Sequence, residues 1–260
     1  NTTGSYNTAM GVRALCSNTT GIRNTAVGLS SLQVNTSGKE NSAVGQLALY
    51  GNTTGEQNSS MGFRSMEGNT TGSYNTASGA YALFSATTAN YNTAMGRSAM
   101  QQTTTGGENT AFGFSALRCN TTGLRNTASG YRALFFATAS YNNAFGFCAG
   151  HNNTTGSANS SFGYIALVKT TTGTHNTALG NESLACNTTG YGNTASGYRS
   201  LYNNTTGERN TAVGHLAATS NTSGIWNVAV GVCALYYNSS GNYNTGTGYR
   251  SLFANTTGTN

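Results

Sequence analysis

The sequence predicts an all-β protein, a β-solenoid (parallel β-roll) of about fifteen 17-residue coils. Three observations predict it. Residues 1–17 read NTTGSYNTAMGVRALCS; the pattern returns at Asn18 as NTTGIRNTAVGLSSLQV, at Asn35 as NTSGKENSAVGQLALYG, and runs on to Ala254. Nearly every copy carries two glycines, so no run is long enough for a stable amphipathic helix. Alanine and leucine recur at fixed phase, as a packed interior requires; a disordered chain rich in Asn, Thr and Gly has no need of such a phase.

The copies start at 1, 18, 35, 52, 69, 86, 103, 120, 136, 153, 170, 187, 204, 221 and 238, and six residues of a sixteenth follow from Asn255. Residues 1–260 read as a single repeat domain. One residue is missing between the copies at 120 and 136, so the solenoid is expected to be irregular near 135–152. The copy from Phe136 has Ala139 in place of the fourth-position glycine and Gly150 in place of leucine; the copy from Ala86 has Ala89 at the fourth position.

Within the unit, positions 1–4 (NTTG) are read as a turn, where Asn and Gly are favoured and Gly supplies positive φ. Positions 5 and 6 vary freely, as in Ser5-Tyr6, Ile22-Arg23 and Lys39-Glu40, which marks a solvent-facing loop. Positions 7–11 read N-T-A-x-G and positions 12–16 read x-x-(A/S)-L-x, so strands are expected over 7–10 and 12–16. Asn stands at position 7 in every full copy, from Asn7 to Asn244, and predicts a ladder of stacked amides.

Positions 14 and 15 are both restricted, yet adjacent strand residues face opposite ways. Position 12 is often aromatic (Phe63, Phe114, Tyr164, Tyr198, Tyr249), and so is position 16 (Tyr50, Phe84, Tyr202, Tyr236). Either both faces of the second strand are packed, one of them against another chain, or position 14 or 15 sits in a bend. Apolar stripes of this length favour a second chain.

Charge is sparse: ten Arg and two Lys against Glu40, Glu56, Glu67, Glu108, Glu182 and Glu208, for a net +6. Five arginines share position 13 (Arg13, Arg64, Arg132, Arg199, Arg250), but three or four copies separate them, so they make no basic stripe for nucleic acid. No 18-residue apolar stretch is present and no membrane span is expected. Cys148 and Cys233 share one position five coils apart, and Cys119 and Cys186 share another four coils apart. At about 4.8 Å per coil those gaps are far beyond the ~7 Å that a disulfide allows, so these thiols and Cys16 are free or pair with another chain.

Catalysis is not expected. The chain has no Asp, its six Glu are scattered through the unit, and His151, His175 and His215 fall at positions 16, 6 and 12. No Cys/His spacing for a metal appears, no Lys-Ser/Thr follows a glycine loop to hold a phosphate, and no Ser or Thr has a base partner. Neither a metal nor a cofactor is called for. Asn-x-Ser/Thr is an N-glycan acceptor in the secretory pathway, and position 1 supplies Asn1, Asn18, Asn35, Asn52, Asn69, Asn120, Asn153, Asn187, Asn204, Asn221, Asn238 and Asn255. Against that reading, Thr88, Thr105 and Thr172 persist in copies that begin with Ala86, Thr103 and Thr170, which favours a structural threonine ladder.

The N-T-A-x-G segment, clearest at Asn24-Thr25-Ala26-Val27-Gly28 and Asn210-Thr211-Ala212-Val213-Gly214, resembles the (S/N)-V-A-I-G core of the head repeats of trimeric autotransporter adhesins. It is also similar to units in phage and viral tail fibres. The resemblance covers nearly the whole chain. It implies a left-handed parallel β-roll, often trimeric, that displays or spaces a binding tip. The period here is 17 rather than about 14, and Thr replaces Val at position 8.

Together these readings give an extracellular or cell- or virion-surface fibre or adhesin shaft, with further copies of itself as partners (trimer or end-to-end filament), and glycans or a surface receptor as others. An ice-binding solenoid built on Thr2/Thr3 is the alternative, although adjacent threonines on a strand point opposite ways and only one can join a flat face. The chain starts at position 1 and stops at position 6 without a capping unit, so the solenoid is expected to continue past both ends; fifteen coils would span about 70 Å.

Overall fold

The structure, a computed structural model, describes residues 2–259. It is an all-β solenoid with one three-residue parallel strand per coil, from β1 (Thr8–Met10) to β15 (Thr245–Thr247), in sequential order and with no helix among the described residues. The chain forms two compact units, Asn1–Ala128 and Ser129–Asn260. In the first, β1 to β7 (Thr110–Phe112) pair in register, as in Thr25↔Ser42 and Ala26↔Ala43. In the second, β9 (Asn143–Phe145) to β15 do the same, as in Thr177↔Thr194. Each residue therefore lies on its counterpart seventeen places along. The central strand residue, usually alanine, points inward and its two neighbours point out.

The expected second strand over positions 12–16 does not form. This stretch is a pair of tight turns, closed within one coil by bonds such as Ala48 N–H to Gly45 O (3.3 Å) and Asn52 N–H to Leu49 O (3.3 Å). Residues at positions 13 and 15 hold left-handed φ, for example Leu47 at 57° and Leu49 at 52°. Each reversal redirects the backbone: Leu47 N–H bonds the coil before (Leu29 O, 2.9 Å), whereas Leu49 N–H bonds the coil after (Ser65 O, 2.9 Å). Coil-to-coil bonding thus continues outside the strand. The rule that neighbours face opposite ways applies to extended chain only, so Ala48 and Leu49 can both be fully buried. A bend explains the restriction at 14 and 15, and no second chain is needed for it.

The glycines serve two different purposes. At position 11, Gly28 holds φ 133°, and a Cβ there would lie 2.5 Å from the carbonyl oxygen of Gly45. At position 4 the φ is not left-handed, contrary to the turn reading. Gly38 is required by close approach instead, since a Cβ would lie 2.4 Å from Asn35 Oδ1 and 2.5 Å from Gly55 O. One of the two irregular copies is relieved of the first of these contacts: Ala89 stands at position 4 in the coil whose position 1 is Ala86, which has no amide oxygen to crowd the methyl group.

The one-residue deletion also lies elsewhere than at the 135/136 junction. Phe136 N–H bonds His151 O (3.1 Å) as position 17 does in other coils, Ala137 N–H closes the turn on Leu134 O (3.1 Å), and the Thr138 hydroxyl donates to Thr154 O (2.9 Å) as position 2 does. Ala137 is therefore position 1. Ser140 O accepts from Ala158 N–H (3.3 Å) as position 5, so the lost residue belongs to the turn around Ala139. The strand and both tight turns of that coil keep full length.

Candidate interaction surface

Inside the coils the polar groups are spent on one another. At position 7, Asn41 Oδ1 accepts from Asn58 N–H (3.0 Å) and Asn58 Nδ2 (3.1 Å), while Asn41 Nδ2 donates to Asn24 Oδ1 (3.2 Å) and Gly55 O (2.8 Å). All four bonding directions of the amide are used, which is the predicted ladder. At position 1 a second ladder runs: Asn52 Nδ2 donates to Asn35 Oδ1 (2.8 Å) and to Gly55 O (3.0 Å). It breaks where a copy lacks Asn. Buried Asn69 Oδ1 precedes Ala86, and buried Asn153 Oδ1 precedes Thr170; both lack a partner, as does Thr103 Oγ1.

This second ladder contains the sequon asparagines. Asn18, Asn35, Asn52, Asn69, Asn120, Asn153, Asn187, Asn204, Asn221 and Asn238 are buried, and Asn255 is half-buried. Asn1 lies outside the described residues. The nitrogen that would carry a sugar already donates inward in each buried case, for example Asn187 Nδ2 to Gly190 O (3.0 Å) and Asn221 Nδ2 to Gly224 O (3.1 Å). A glycan at these atoms requires that coil to open. The threonines separate by role. Position 2 hydroxyls donate to the position 2 carbonyl of the next coil, as Thr53 does to Thr70 O (3.0 Å). Position 3 is exposed, and among the described residues no hydrogen bond runs from Thr54, Thr71 or Thr206 hydroxyls.

The titratable groups stay dispersed. Glutamates pair with basic residues one coil away (Arg23–Glu40 at 3.0 Å, Lys39–Glu56 at 3.5 Å, Arg125–Glu108 at 2.9 Å, and Arg199 with Glu182) or within a coil (Arg64 with Glu67). The hydrogen bond from Arg125 holds the Glu108 carboxyl below its ordinary value, and the adjacent charge adds to this. Position 13 arginines lie over neighbouring rings: Arg199 is 5.3 Å from Tyr198 and 5.0 Å from Tyr202, and Arg250 is 4.0 Å from Phe253. For Arg64, Arg132, Arg199 and Arg250 the recurrence is cation–π packing on aromatic positions 12 and 16; Arg13 stands between Val12 and Cys16. His151 stacks on Phe135, and His215 on Tyr198; the structure does not bring the three histidines together. All five cysteines are free thiols, and burial pushes those of Cys119 and Cys148 above the usual range. Among the described residues no group of three His, Cys, Asp or Glu could hold a metal, and no pocket is found.

What remains is a surface. Positions 8 and 10 form the outer face of the sheet, and position 12 adjoins it past the glycine at 11. Neither position 8 nor position 10 carries a charged residue in any copy. In the second unit, Phe145 and Phe162 stack at position 10 (centroids 4.9 Å, 6°), while Tyr131, Phe147 and Tyr164 stack at position 12 (5.0 and 5.4 Å). All five rings are 37–50 % exposed. The first unit carries the same two ridges, with Met61, Phe63, Phe112 and Phe114 exposed. The sequence reading identified position 12 but missed position 10, whose apolar residues alternate with inward alanine in a three-residue strand. No protein-family model matches the chain, and no curated protein matches it.

Proposed function

We propose that the chain is a non-catalytic structural fibre or adhesin shaft, working outside the cell or on a cell or virion surface and assembling with further copies of itself. The observation that carries this reading is the closed interior. Asparagine amides, threonine hydroxyls and backbone groups bond the matching groups of adjacent coils, leaving repetition itself as the product of the fold. Position 6 varies freely and is exposed in most coils, so a display surface there can change without touching the interior. Negative-stain images should show elongated particles, and deleting three whole coils should shorten them by about 14 Å. Compact globules of unchanged dimensions would overturn the reading.

One observation favours ice binding as a second reading. Position 3 is Ser or Thr in every copy except that around Ala139, and it is exposed in most, while the freely varying positions 5 and 6 lie close by. Because position 2 hydroxyls are spent on the next coil's carbonyl, the free array is a single rank. Thermal hysteresis and faceted crystal growth would support this reading; their absence at millimolar protein would remove it.

A further inference from the structure

We propose that the two apolar ridges at positions 10 and 12, with the side-chain-free glycine furrow between them, are the docking surface for a second copy of this chain. The inference rests on the shaft reading above and names the partner and the surface.

Area is the first argument. A Phe or Tyr side chain offers roughly 200 Å², so the five stacked rings of the second unit leave roughly 400 Å² uncovered at their observed exposures. The aliphatic residues that follow on the same ridges, Leu179, Val213 and Val230 among them, are 37–41 % exposed and bring the strip to about 700 Å². That approaches the ~800 Å² per partner of a standard stable interface, with Asn181 and Ser196 as polar breaks along it.

Charge is the second argument. Positions 8 and 10 hold no charged residue in any copy and position 12 holds one, Arg97 in the first unit, whereas position 6 carries Arg23, Glu40, Glu108, Arg125 and Arg209. An exposed sheet face without charge is unprotected against association unless something covers it.

Pitch is the third, and it selects the occupant. The ridges repeat once per coil, with ring centroids 4.9–5.4 Å apart in the second unit. A partner ridge must carry the same axial repeat to meet every ring in the same way. A second copy has that repeat, and its ridge can seat in the furrow, where Gly146, Gly163 and Gly180 present no side chain. The rings stack face to face along the axis and turn their edges outward, a geometry that suits edge-to-face contact with another row of rings more than a flat ligand lying on them.

The test is light-scattering mass across a concentration series, for the full chain and for Phe145→Ser/Phe162→Ser. Serine already stands at position 10 in Ser129 and Ser196, so the coil accepts it. The full chain should have the mass of two or more chains at micromolar concentration, and the double variant should dissociate at least tenfold more readily. Tyr164→Asn is the second variant, since Asn181 occupies the same position one coil on, and it should shift in the same direction. A full chain that stays monomeric at 100 μM overturns the proposal. Assembly unaffected by either variant also overturns it, placing the contact elsewhere and leaving the shaft reading intact.

Discussion

The two asparagine ladders run through the same coils and look alike, yet one is unbroken and the other has gaps. Position 7 is Asn in every full copy; position 1 becomes Ala86, Thr103, Ala137 and Thr170. The difference lies in what the amide oxygen accepts. Asn193 Oδ1 takes the backbone N–H of Asn210 (3.0 Å) as well as its side chain (3.1 Å). Asn204 Oδ1 takes only the Asn221 side chain (2.7 Å). A position 7 amide therefore stands in for a carbonyl in the backbone ladder, and its loss strands a buried main-chain donor. Loss at position 1 strands side-chain atoms only: the preceding amide oxygen, as at native Asn69, and one N–H of the following amide.

The largest test of this contrast is Asn193→Ala. It leaves Asn210 N–H buried without a partner and removes both bonds donated by Asn193 Nδ2, for an expected loss of about 3 kcal/mol. Chemical denaturation of the second unit's signal would measure it. Asn204→Ala should cost only about 1 kcal/mol, because Gly207 O keeps its bond from Asn193 Nδ2 and Asn221 keeps Gly224 O. Equal losses from the two variants would remove the distinction.

Repairing a gap comes next in size. Ala86→Asn alone should not stabilise, because a position 4 methyl meets the position 1 amide oxygen; at Gly72 a Cβ would lie 2.4 Å from Asn69 Oδ1. Ala86→Asn with Ala89→Gly should stabilise by about 1 kcal/mol, since the new amide can donate to Asn69 Oδ1 and accept from the Thr103 hydroxyl. The signature is positive coupling in the double-mutant cycle; purely additive effects would show that the two alanines occur together by accident.

The smallest effect lies outside both ladders, in the exposed Arg125–Glu108 pair. The Glu108 carboxyl is held below its ordinary value by Arg125, so its contribution is present above the unfolded value and is lost as pH falls through the folded one. Glu108→Gln should flatten a slight acid-side decline in stability and leave neutral-pH behaviour nearly unchanged.

The period, the coil and the position 7 ladder were readable because identical residues recur at one spacing. The position 1 ladder was hidden by its own gaps and by NTT reading as a turn and a sequon. The tight turns were hidden by left-handed residues that are not glycine. A signal for them does exist: positions 6 and 15 never hold Val, Ile or Thr, although Thr is abundant elsewhere in the chain. Both positions are left-handed, as at Arg23 (55°) and Leu32 (52°), and β-branched residues tolerate that conformation worst. Position 13 follows with one exception, Ile165. The surface at position 10 was hidden for another reason, since three residues are too few for alternation to register.

In-register pairing has a consequence for how the gene can change. Most coils present their neighbours with the same bonds, and the ladder amides meet their counterparts seventeen residues along. A duplication or deletion of seventeen codons therefore restores a complete coil wherever its breakpoints fall. Any other number must be absorbed locally, and the one surviving example sits in the turn around Ala139 rather than in a strand or a left-handed corner. Recombination between copies should alter this protein's length in whole-coil steps, with fractional losses confined to that turn.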